Sequence, residues 1–133
     1  MYTIEKIVKN IKEKTDIDIR ESHSIFCYGL YNPEENWILY DPKHPDEKVI
    51  ETLIHEIYHY ITNVQSKGLD TFNNEIGAHI SERVILDGAD IEETFEKLEE
   101  GVRYTYDAKG VRIITTKEIE EIIEGVKKLI GDE

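Results

Sequence analysis

The sequence predicts an α+β fold in one domain spanning residues 1–133. Three observations predict it. Apolar residues recur at helical spacing near both ends of the chain. Short stretches between residues 16 and 41 alternate or run apolar, as strands do. Between Asp46 and about Leu86 the spacing returns to two long helices. A chain of 133 residues suffices for a single modest core.

Residues 2–14 place Ile4, Ile7, Val8 and Ile11 on one face among Lys and Glu, which predicts an amphipathic helix. Asp16 to Arg20 alternates around Ile17 and Ile19 and reads as a strand. Ser24 to Tyr31 reads as a second strand, and Trp37 to Asp41 as a third. The turn Asn32-Pro33-Glu34-Glu35-Asn36 joins the last two into a hairpin. The break at 41–45 holds two prolines. Asp46 then serves as N-cap of a helix to about Val64, whose core stripe is Val49, Ile50, Leu53, Ile54, Ile57 and Ile61.

A loop at 66–70 leads to a second long helix, capped by Thr71 or Asn73 and stopped by Gly88. Phe72, Ile76, Ile80 and Val84 form its core side. A helix from Asp90 to about Glu100 turns Ile91, Phe95 and Leu98 inward. Residues 102–106 and 110–114 predict a hairpin. Thr115 with Glu118 forms a capping box for a last helix to about Ile130.

Composition excludes several functions. The net charge is −13, with 34% charged residues and a mean hydropathy of −0.50. So acidic a chain is not expected to bind nucleic acid or adhere to anionic membranes, both of which need Lys and Arg. No apolar run is long enough for membrane insertion, and no signal-peptide core is visible, so a cytoplasmic location is expected. The single Cys27 excludes an internal disulfide. Its apolar surroundings predict a buried, inert thiol. Much Glu, Lys and Ile with one Gln resembles thermophile usage.

The chemistry concentrates in Thr52-Leu53-Ile54-His55-Glu56-Ile57-Tyr58-His59-Tyr60-Ile61. His-Glu-x-x-His is the zincin metallopeptidase pattern. On a helix His55 and His59 lie one turn apart on one face, spaced to hold one tetrahedral zinc ion. Glu56 falls about 100° away, placed to move protons as general base and acid rather than to bind metal. It is the only charged residue between Thr52 and Asn63, and burying an unpartnered charge is costly. His23 and His44 read as surface or loop histidines.

A catalytic zinc usually takes a third protein ligand. The metzincin extension is absent, because Thr62 and Gln65 hold its places. On the following helix Glu75, His79 and Glu82 share a face at i, i+4 and i+7. Asn74-Glu75 resembles the Asn-Glu pair of gluzincins, in which Glu is the ligand. Glu75-x-x-Ala78 also resembles the HtpX-type membrane metallopeptidases. Yet His79 lies twenty residues after His59, the spacing of thermolysin-like enzymes, whereas Glu75 lies sixteen after it. Glu82 reads as part of a solvated helix face.

Residues 24–88 as a set resemble the minigluzincins, small soluble zymogens of thermophilic prokaryotes. That resemblance implies a zincin-like domain with a histidine as third ligand, hence His79. Glu75 is then the alternate ligand, or a carboxylate that orients an imidazole. It implies a small mixed sheet whose outermost strand, Trp37–Asp41, pairs with an extended substrate. It also implies latency, with 102–133 as an inhibitory segment that covers the cleft or swaps across a homodimer. Tyr104, Tyr106 and Asp107 are its groups able to reach the cleft. The expectation is a zinc-dependent endopeptidase acting on peptides or proteins. The rivals are a regulatory zinc-binding domain that acts on a specific protein partner without catalysis, and a metal-free binding domain in which the motif is accidental.

Overall fold

A computed structural model describes residues 2–23, 25–64, 71–97 and 116–131. Helix α1 (Ile4–Lys14) begins where Thr3 accepts a hydrogen bond from the Lys6 N–H, and it buries Ile7 and Ile11. Strands β1 (Asp18–Glu21), β2 (Gly29–Asn32) and β3 (Trp37–Tyr40) form a mixed sheet in the order β1-β3-β2. β1 runs parallel to β3 and β2 antiparallel to it, with Leu30 opposite Leu39 and Tyr31 opposite Ile38. The α+β class therefore holds. Trp37–Tyr40, expected at the edge, is the central strand, and among the described residues β2 is an edge.

The turn between β2 and β3 follows its residue types. Asn32 Oδ1 accepts from the N–H groups of Glu34 and Glu35, and Asn36 adopts a left-handed φ of 59°. The segment before β2 departs from expectation. Residues 25–28 are not a strand, Phe26 and Tyr28 are exposed, and so is Cys27. An apolar sequence makes a strand only where a partner backbone exists. Here β3 ends at Tyr40, just before Pro42, and past β2 the Asp41 N–H reaches only the Tyr28 carbonyl.

Helix α2 (Asp46–Val64) runs through the middle of the molecule, touching α1, β2 and β3. Asp46 lies in its first turn. The Pro45 carbonyl accepts the first helical bond, so Pro45 and not Asp46 is the cap. Val49, Leu53, Ile54, Ile57 and Ile61 are buried as the spacing predicts, and Tyr58 joins them.

Helix α3 (Thr71–Asp87) packs against α2 and stops at Gly88, whose φ is +66°. Residues 91–97 form helix α4, which Asp90 caps by accepting the Glu93 N–H. Ile91 and Phe95 pack onto the core from α4; Leu98 lies outside the described residues. Helix α5 (Thr116–Ile130) buries Ile119, Ile122, Ile123, Val126 and Ile130 against α1, α2 and α3. The helical half of the 102–133 segment is thus part of the core. The hairpin expected at 102–114 and the cap at Thr115 lie outside the described residues, as does the loop at 66–70.

Candidate metal centre

The centre is built on the side of α2 turned toward β2 and α3. His55 and His59, one turn apart, bring their rings to 4.8 Å between centroids. Both side chains are largely buried. α3 faces them with Glu75, His79 and Glu82. The Glu75 carboxylate spans the two imidazoles, with Oε2 3.1 Å from His55 Nε2 and Oε1 2.7 Å from His59 Nε2. Glu82 Oε2 lies 2.8 Å from His55 Nδ1 and 3.0 Å from His79 Nδ1. The two ring nitrogens of His55 therefore have distinct partners, one carboxylate each.

His79 is at the mouth and more than half exposed. Its ring lies 4.8 Å from that of His55, and its Nε2 is 3.8 Å from Glu75 Oε2. His55, Glu56 and His59 offer one ligand atom each, all within 4.8 Å of one another. His55, His79 and Glu82 form a second such group. A cavity of about 200 Å³, lined among others by His55, Glu56, Glu75, His79 and Glu82, opens beside the centre. The larger groove, about 1060 Å³ between α1 and the start of α2, gathers no histidine. His44 makes an edge contact with Tyr28 and lies 3.8 Å from the buried Asp41.

β2 closes the centre from above. A Cβ on Gly29 would come within 2.4 Å of Thr52 Cγ2 and 3.0 Å of the Leu39 carbonyl, so only glycine lets the strand lie this close to α2. The Tyr31 N–H donates to the Glu56 carboxylate. Tyr31 also accepts a hydrogen bond at its hydroxyl from Asn63 Nδ2 at 3.1 Å and stacks edge-on with Tyr60, which fixes β2 to α2.

Electrostatics divide the three acids. Burial pushes Glu56 up to about 7. The charge of His55 and the Tyr31 N–H oppose this, while Glu75 and Glu82 add to it. Burial alone would raise Glu82 as well, yet hydrogen bonds from His55 and His79 win and hold it at about 2. Burial lowers His55, but the Glu82 hydrogen bond and the charges of Glu56, Glu82 and Glu75 raise it overall. His59 is lowered by burial and by His55, which Glu75 offsets only in part. Excess carboxylate around three imidazoles is the donor set a divalent cation would neutralise, and so the residues fit one.

Sequence reasoning brought His55, Glu56, His59, Glu75 and His79 to one place, and the structure gathers all five. It misjudged Glu82, which is only 5% exposed and holds two imidazoles. Its i+7 relation to Glu75 was the available signal. Gly29 and the Tyr31 N–H carry no signal in sequence, because both act through strand placement.

No protein family, curated protein or solved structure matches the chain.

Proposed function

We propose that the chain is a zinc-dependent peptidase, with His55, His59 and Glu75 holding the metal and Glu56 as its general base and acid. The observation that carries this reading is the Glu75 carboxylate, within hydrogen-bond reach of both Nε2 atoms while Glu56 stands beside them. Two imidazoles and a carboxylate are a usual ligand set for a catalytic zinc ion. Glu75 is favoured over His79 as third ligand because its carboxylate meets both Nε2 atoms, whereas His79 stands more exposed at the mouth.

A bound zinc ion would supply Lewis acidity, making nearby water nucleophilic at neutral pH and polarising a carbonyl. The chain does the rest. With Nδ1–H donating to Glu82, His55 would turn Nε2 toward Glu75 and the metal. Glu56, with proton affinity near neutrality, takes a proton from the attacking water and returns it to the leaving amine. Among the described residues β2 is an edge strand beside the centre, and it offers backbone to an extended peptide.

The test is Glu56→Gln assayed on an unfolded protein substrate, with zinc content measured in parallel. Lost proteolysis with retained zinc supports the reading. Equal proteolysis by the purified variant rejects the role. Zinc without proteolysis in the wild type would favour the regulatory rival.

A further inference from the structure

Gly77 stands midway between Glu75 and His79 on α3 and is buried. Glycine is a poor residue for a helix interior, so its place here calls for a packing reason. A Cβ at residue 77 would lie 1.9 Å from Tyr58 Oη, 2.4 Å from Cζ and 2.9 Å from Cε1. All three distances are shorter than van der Waals contact, and the obstacle is an aromatic ring rather than a flexible chain end.

The ring has little freedom to yield. Tyr58 is fully enclosed, and its hydroxyl has no hydrogen-bond partner among the described residues. A buried hydroxyl is costly to leave unpaired, so its retention at a tight contact asks for explanation. Tyr58 sits one residue before His59 and two after Glu56. The Tyr58–Gly77 contact therefore joins the motif helix to the turn of α3 that carries Glu75 and His79.

We infer that the bare backbone of Gly77 against Tyr58 permits the α2–α3 spacing at which Glu75 reaches both His55 and His59, making Gly77 a positioning residue for the metal. This deepens the zinc-peptidase reading and rests on it. Glu75 spans its imidazoles at 3.1 and 2.7 Å, and coordination tolerates displacements of only a few tenths of an ångström. A methyl group at 77 must drive the helices apart by more than that.

The experiment measures zinc affinity by competition with a chromogenic chelator, and thermal unfolding of the metal-free protein, in four proteins. Gly77→Ala is expected to lower zinc affinity tenfold or more. Adding Tyr58→Leu removes the hydroxyl oxygen and the two ring carbons that the methyl meets. The double variant is expected to return to within a few fold of wild-type affinity, although its metal-free form melts lower. Ile80→Val, a cavity on the same helix, is expected to lower the melting temperature and leave affinity within twofold.

Wild-type affinity in Gly77→Ala would overturn the inference. So would a loss that Ile80→Val reproduces and Tyr58→Leu does not repair. Should Gly77→Ala fail to fold, the double variant decides: affinity near wild type upholds the spacing role, and a tenfold loss overturns it. Absence of zinc from the wild type would overturn the metal reading and this inference together. Normal wild-type binding with an indifferent Gly77→Ala overturns this inference alone.

Discussion

Helix α2 has two buried sides that are held in different ways. One side, with Val49, Leu53, Ile54, Ile57 and Ile61, packs into hydrocarbon. The other carries Thr52, His55, Glu56 and His59 and is held by carboxylates from α3 and an N–H from β2. Apolar burial stabilises without regard to pH or ions. The polar side depends on protonation and, in the proposed reading, on a bound cation. The first side makes the fold and the second is available for chemistry, so mutations on the two sides should separate stability from activity.

The largest separation is expected at Glu56. Glu56→Gln should lower peptide hydrolysis by about 10²–10⁴-fold, the usual worth of a general base, without lowering stability at neutral pH. A steady-state assay beside a melting curve checks both. The reverse pattern is expected one residue on. Ile57→Ala should cost about 2–5 kcal/mol of stability, because its side chain is 1% exposed. Its activity per folded molecule should stay within a few fold at low temperature. Chemical denaturation gives the first quantity and activity normalised to folded fraction gives the second.

The pH dependence sharpens the contrast. In metal-free protein Glu56 has its folded pKa raised to about 7 from an ordinary 4.5. The folded state then binds the proton more tightly than the unfolded chain. This contribution is fully present below pH 4.5 and is lost as pH rises through 7. Glu56→Gln removes it, so the variant should gain on wild type between pH 5 and pH 8, by about 3 kcal/mol at most. Melting both proteins in chelator across that range measures the gap; a constant gap would contradict the buried-acid reading. Glu82 is opposite in sign. Its pKa is lowered to about 2, so its contribution is present above 4.5 and lost as pH falls toward 2.

The smallest effect is expected at the support of His55. Glu82→Gln keeps the shape but weakens the hold on Nδ1, and zinc affinity should fall about 10–100-fold. Chelator competition measures it. An unchanged affinity would remove Glu82 from the support of the metal.

The elements were legible where a period repeats for several turns. α1, α2, α3 and α5 follow from apolar spacing, and the Asn32–Asn36 turn follows from its residue types. Strand order was not legible, because four-residue strands carry no signal of which neighbour they pair with. Among the described residues Trp37–Tyr40 is the strand flanked on both sides. Phe26, Cys27 and Tyr28 were misread because hydropathy reports the gain from burial, not the presence of anything to bury against.

In the candidate centre, the motif itself was legible because five residues at helical spacing lie on one element. Glu82 and Gly77 were harder, since their meaning comes from how two helices approach. A glycine in mid-helix and a third acidic or imidazole group on one face were the only traces.

The proposed chemistry depends most on His55 and His59 gripping a divalent ion. The direct measurement is zinc per chain by atomic emission after purification without chelator, for wild type, Glu56→Gln and His59→Ala. One ion in the first two and none in the third is the predicted result. A wild type free of zinc, or a His59→Ala protein that keeps a full equivalent, would contradict it.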